Sequence, residues 1–229
     1  MIEIIPKGSV LCDMFCGVGP LSVQVAKGLK CRVLANDLNP DCFKYLKNNI
    51  VLNKVKNLVL PFNMDAREFV RSIIKTPAEG SLEIPKEFVH FDHAYMNLPV
   101  DAVEFLDVFC GLFCASDKKV WNETNLPMIH VYAFTEQEDL DEAKAALCIR
   151  INKIFGKYRG LSKGDVTYFH QIRDVSAKSK MYAVSFKLSK EVAYAIPAPQ
   201  IQAEEPAVPK KHPPVDPDIE TSQKKSKTE

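Results

Sequence analysis

Residues 12–23, CDMFCGVGPLSV, set two glycines, Gly17 and Gly19, between an apolar run and a helix-like stretch. Asp13 stands four positions before the first glycine, and Pro20 follows the second. A turn of this kind offers backbone N–H groups and the positive end of a helix dipole to a ligand. The dinucleotide pattern G-x-G-x-x-G would place a third glycine where Ser22 stands, and it serves to hold a pyrophosphate. A carboxylate at Asp13 would repel that diphosphate. An acid there suits a ligand that carries positive charge and no phosphate.

Working outward, strand-like runs alternate with helix-like stretches, the pattern of a doubly wound parallel sheet. The first strand is Val10–Cys12, ending at Asp13, and a helix is expected from about Leu21 to Leu29. CRVLAND forms a second strand ending at Asp37, followed by a helix whose apolar stripe is Phe43, Leu46 and Ile50. NLVLPFNMD forms a third strand ending at Asp65, with a helix from about Arg67 to Ile74. FVHFDHAYM is the expected fourth strand and MIHVYAF the fifth. Asp101 and Glu104 have the spacing of an N-terminal capping box, and Thr135 is the expected cap of the helix after strand five. DVTYFHQIRDV and KMYAVSFKL close the domain as a hairpin around SAKS, which makes seven strands.

The acids point to the ligand. Asp37 lies 24 residues after Asp13, near the ~20-residue spacing of a ribose-hydroxyl acceptor. Asp65 is placed to accept an adenine amino group, with the Ala66 N–H donating to the ring. Carboxyl ends of successive strands line one crevice in open α/β sheets. S-adenosylmethionine, with an ammonium, a sulfonium and no phosphate, meets these demands. After the fourth strand, Asn97-Leu98-Pro99 resembles the D/N-P-P-[YF] motif of methyltransferases that act on exocyclic amines. Val100 stands at the aromatic position, which argues for another planar substrate.

DMFCGVGP, ANDLNP, NMDAREF and MNLPVDAVEFLDVF together resemble the eukaryotic and archaeal tRNA (guanine-N1)-methyltransferase family, from about Lys7 to Leu188. The resemblance implies a Rossmann-like class I methyltransferase fold, α/β, with a seven-stranded mostly parallel sheet and a C-terminal hairpin. It implies methyl transfer from S-adenosylmethionine to N1 of guanosine 37 of tRNA. Asp13, Gly17, Gly19, Asp37, Leu38, Asp65, Ala66 and Asn97 would line the cofactor site. Asn97 would also orient the guanine, beside Pro99. A sister family transfers the aminocarboxypropyl group of the same cofactor, and Pro99 favours methyl transfer. In the family a glutamate base and an arginine lie upstream of the first motif, with tRNA-binding domains. Here Glu3 is the only acid before Asp13, so the chain is expected to be the catalytic part of a longer protein. The other readings are a non-catalytic cofactor- or tRNA-binding fragment, and a methyltransferase acting on another RNA base.

Lys144, Arg150, Lys153, Lys157, Arg159 and Lys163 occupy a stretch without acids. Arg150, Lys153 and Lys157 share a helical face, and with Arg159 they are the expected contacts to tRNA phosphates. Basic side chains also favour helix C-termini, which is the plainer reading of the same residues.

Composition sets the limits. The 229 residues carry a formal charge of +1, so no global field draws the chain to nucleic acid or membrane. No stretch approaches the ~18 apolar residues of a membrane span, and MIEIIPKGSV lacks the features of a signal peptide. Seven cysteines without CxxC pairs suggest reduced intracellular thiols and no metal site. Cytoplasm, nucleus and mitochondrial matrix are all open as compartments, and a monomer is expected. Residues 1–190 are expected to form the domain. Residues 191–229 form the tail, and from about Ile196 it holds seven of the fifteen prolines and no aromatic residue.

Overall fold

A computed structural model describes residues 2–74, 84–98, 100–114, 116–156, 158, 160–176 and 179–196. The glycine turn explains how the fold begins. β1 (Val10–Asp13) is buried along its whole length. The chain then turns at Gly17 and Gly19, whose φ values of +58° and +81° lie in the left-handed region. Pro20 starts α1 (Pro20–Leu29) at the position where a missing N–H costs nothing. β2 (Arg32–Asn36) pairs in parallel with β1, and β3 (Val59–Phe62) pairs in parallel with β2. Between them lies α2 (Pro40–Leu52), which buries Leu46 and Ile50. α3 (Ala66–Ile74) follows β3.

The chain then returns to the centre. β4 (His93–Met96) pairs with the other edge of β1, and β5 (Met128–Thr135) pairs with β4. After α4 (Leu140–Phe155), β6 (Val166–Ser176) and β7 (Ser179–Lys187) form the hairpin, with β7 antiparallel against β5. The seven-stranded order is β3-β2-β1-β4-β5-β7-β6. The sheet reverses its direction of growth between β1 and β4, and ligands of open α/β sheets bind at such a switch point. One face buries Phe69, Ile73, Leu106, Phe109, Leu147 and Phe155. The other buries Val25, Ala26, Leu46 and Ile50 beneath α1 and α2.

A polar chain crosses the centre of the sheet. His93 Nδ1 lies 2.9 Å from His130 Nε2, and His130 Nδ1 lies 2.8 Å from Ser185 Oγ. All three residues are buried. Burial, with His93 alongside, pushes His130 down to about 3, so its imidazole is neutral at ordinary pH.

Four expectations change. The fourth strand is confined to His93–Met96. Lys86–Phe88 is a 3-10 turn, and the Asp92 carboxylate takes the Val10 N–H at 2.8 Å in place of a backbone acceptor. Asp101 makes no side-chain cap, because Ala102–Phe109 winds as a 3-10 helix. Thr135 ends β5, paired with Lys180, and the cap of α4 is Asp139, which accepts from the N–H groups of Asp141 and Glu142. The ordered body also runs past residue 190. α5 (Lys190–Ala193) buries Val192 and Ala193, whose carbonyls accept from Gly111 N and Phe113 N. This apolar turn fills a gap that a solvated tail would leave open. Residues 197–229, most of the expected tail, lie outside the described residues.

All seven cysteines are free thiols. Among the described residues, no three potential metal ligands cluster, and no helix is long and apolar enough to cross a membrane.

Candidate active site

The crevice at the switch point is built by side chains that each close a backbone break. Asp37, just beyond β2, uses both carboxylate oxygens. Oδ2 accepts the Gly17 N–H at 2.8 Å, and Oδ1 accepts the Asn39 N–H at 2.9 Å. The acid therefore fixes the glycine turn. Asn39 in turn caps α2 by accepting from Asp41 N. The Asn63 amide donates to the carbonyls of Asp37 and Leu38 at 2.7 and 3.0 Å, and the Leu38 side chain projects outward, 68% exposed. Asp65 caps α3, its Oδ1 accepting from Arg67 N and Glu68 N. Ala66 opens α3, where an N–H has no acceptor within the helix.

Asn36 is a member that sequence reasoning missed. Fully buried at the end of β2, it donates to the carbonyls of Met14 and Met64 and accepts the Met64 N–H at 3.0 Å. It ties the turn after β1 to the turn after β3, so the two walls of the crevice hold one spacing. Its only signal was a polar residue at the end of an apolar strand.

Asp13 lies deeper than its partners. It is 1% exposed and accepts from Ser22 Oγ at 2.6 Å, while its Oδ1 has no hydrogen-bond partner. Burial pushes its carboxyl up to about 7; hydrogen bonds from Ser22 and the Phe15 backbone oppose the rise, and Asp37 adds to it. Asp37 and Asp65, by contrast, are only partly buried. Because the folded pKa lies above the ordinary 3.8, the folded state holds a proton that the unfolded chain has lost. Stability from this group is complete at low pH and is lost as pH rises from about 4 to about 7. The difference in urea-unfolding stability between wild type and Asp13→Asn should shift across that window. A flat difference from pH 4 to 8 would refute this behaviour.

Asn97 follows β4 and is exposed. Pro99 lies outside the described residues. Val100 has a φ of +73°, a conformation that costs a β-branched residue about 1–3 kcal/mol. Two arginines hold the segment that follows. Arg67 Nε donates to Asp107 Oδ1 at 2.8 Å, its Nη2 donates to the Glu104 carbonyl, and its guanidinium lies 4.0 Å from the Phe105 ring centre. Phe105 meets Phe15 edge-on at 4.9 Å, which joins this segment to the turn after β1. Arg150, on α4, donates to the Val100 carbonyl and to Glu104 Oε1.

Thus Gly17, Gly19, Asp37, Leu38, Asp65 and Asn97 stand on the segments just after β1, β2, β3 and β4, and Ala66 is the first residue of α3. Lys153 is exposed on α4, whereas Lys157 and Arg159 lie outside the described residues. Glu3 is exposed in a 3-10 turn before β1.

This sheet order, with acids beyond β2 and β3 and the sequence Asn-x-Pro following β4, defines a Rossmann-like domain of the methyltransferase class. The chain belongs to the family of the TRM5/TYW2 methyltransferase domain, whose model matches residues 1–140. The tRNA (guanine(37)-N(1))-methyltransferase of Paramecium tetraurelia is 41% identical over 187 residues, 82% of this chain and 40% of that protein. Trm5b of Pyrococcus abyssi is 30% identical with a TM-score of 0.57, over 82% of this chain and 46% of that one. Trm5 of Methanocaldococcus jannaschii in complex with adenosine is 25% identical with a TM-score of 0.54, over 82% and 46%. The chain spans less than half the length of the curated relatives it matches, 40% in the Paramecium protein.

Proposed function

We propose that the chain binds S-adenosylmethionine in this crevice and carries the methyl-transfer site for N1 of guanosine 37 in tRNA. The observation that carries the reading is the set of three side chains at successive strand ends, Asp37, Asp65 and Asn97, in a chain of this family. The residues fit the cofactor by their chemistry. Asp37 spends one lone pair of each oxygen on backbone N–H groups and keeps others for ribose hydroxyls. Asp65 commits Oδ1 to α3, which leaves Oδ2 for an adenine amino group, with the Ala66 N–H beside it. The cofactor supplies a methyl group on a sulfonium. The chain's own residues bind and orient: Asn97 presents an amide that can pair with the guanine edge, and the crevice would bring donor and acceptor together. Lys153, exposed on α4, supports a tRNA phosphate contact. The free thiols fit a reducing compartment within the cell, and the domain acts as a monomer.

The test is methylation of two tRNA transcripts that differ only in G or A at position 37. Transfer to the G transcript alone, at N1, is expected. Equal methylation of both transcripts sinks the guanine-N1 reading, and an aminocarboxypropyl group on the product would assign the chain to the other branch of its family.

A further inference from the structure

We infer that Arg150 is a positioning residue: it sets the loop that carries Asn97 by holding the Val100 carbonyl, and it is not an RNA contact. The inference rests on the proposed role of the Asn97 loop. Arg150 Nη2 donates to Val100 O at 3.0 Å and to Glu104 Oε1 at 3.2 Å, from a helix 50 residues further along the chain. Val100 needs such a hold. A β-branched residue with φ +73°, 60% exposed, has neither intrinsic preference nor burial to keep it there. A strained conformation of this kind persists where its surroundings over-determine it. On the near side, Ala102 N donates to Leu98 O at 3.3 Å. The carbonyls of Leu98 and Val100 are therefore both occupied, and Asn97 emerges from a loop fixed at its base.

Glu104 aims the guanidinium. The planar fork of arginine can serve a carbonyl and a carboxylate together, which the point charge of lysine does less well. Nη2 commits its N–H groups to these two acceptors, which turns that edge of the guanidinium toward the loop rather than toward solvent. Lys153, nearly one turn further along α4, is exposed. The basic face of α4 thus divides into a residue turned inward to the loop and a residue left to solvent.

The experiment compares the 229-residue wild-type chain with Arg150→Met, Arg150→Lys and Lys153→Met. In Arg150→Met, amide exchange of residues 97–104 should quicken about tenfold, as loss of a charged hydrogen bond implies. Its single-turnover methyl transfer to a G37 transcript should fall about ten- to a hundredfold. Its tRNA affinity should stay within about twofold at every salt concentration, since no phosphate contact is lost. Arg150→Lys restores the charge and should not restore the rate. Lys153→Met should show the converse pattern, with weaker tRNA binding and normal exchange in 97–104. The inference is overturned if Arg150→Met weakens tRNA binding with a salt slope shallower by about one while exchange in 97–104 matches wild type. Rescue by Arg150→Lys of both rate and affinity overturns it as well. If wild type methylates no tRNA, the proposed function falls. Exchange in 97–104 then decides by itself whether Arg150 holds the loop.

Discussion

Gly19→Ala is expected to destabilise the domain by about 3 kcal/mol, from two costs that act together. Gly19 has a φ of +81°, a left-handed conformation that costs an L side chain about 1–2 kcal/mol. A Cβ there would also overlap Leu46 Cδ1. Leu46 is fully buried in the seam between α2 and the sheet, so it cannot swing into solvent, and overpacking of this kind costs about 1–3 kcal/mol. In a domain of this size the midpoint of thermal unfolding should fall by roughly 6–12 °C. Differential scanning calorimetry checks it; a midpoint within about 2 °C of wild type would mean that the turn can repack. Gly17→Ala is the control. The backbone cost is the same in kind, with φ +58°, but nothing lies within 4 Å of the added carbon, so the smaller loss isolates the contact with Leu46.

Asp37→Ala should weaken S-adenosylmethionine binding about a hundredfold. The substitution removes the acceptor proposed for the ribose. It also removes the acceptors of Gly17 N–H and Asn39 N–H, so the glycine turn and the start of α2 lose their common brace. Hydrogen bonds to a charged group contribute about 1.5–3 kcal/mol each, and about 1.4 kcal/mol is tenfold in affinity. Isothermal titration at fixed pH measures the change. Unchanged affinity in a variant with a native circular-dichroism spectrum would remove Asp37 from the site. Because Asp37 does two jobs, Asp37→Asn is the informative companion: it keeps an acceptor for one N–H and should lose less than the alanine.

The acids at the strand ends were legible in the sequence because their signals are local. Asp65 lies directly before the helix it caps, and Asp37 follows β2 two residues before Asn39, whose N–H it accepts. The glycine turn was legible for the same reason. What failed was whatever depended on a distant partner. Thr135 had the form of a helix cap, but β5 runs on to pair Thr135 with Lys180, and the helix starts five residues later at Leu140. Asp101 and Glu104 had capping-box spacing, but Glu104 turns its carboxylate to Arg150, 46 residues away. Asn36 made no impression because its partners, Met14 and Met64, lie 22 and 28 residues off. Asp13 was correctly placed as the acid before the turn, yet its depth depends on packing that no spacing reveals.

The buried run from His93 through His130 to Ser185 has a consequence for how the molecule assembles. Side chains alternate along a strand, so a hairpin that slides by two residues keeps its apolar face inward and pays little in buried area. Oil alone cannot tell the two alignments apart. In the native alignment Ser185 stands opposite His130, whereas a slide of two puts Ala183 or Lys187 there. An alanine would leave a buried ring nitrogen without its mate, at a cost of about 1–3 kcal/mol, and a lysine would press a cation onto a ring that burial keeps neutral. The serine works as a key cut for one lock: it lets β6 and β7 seat in a single position against the strands made before them.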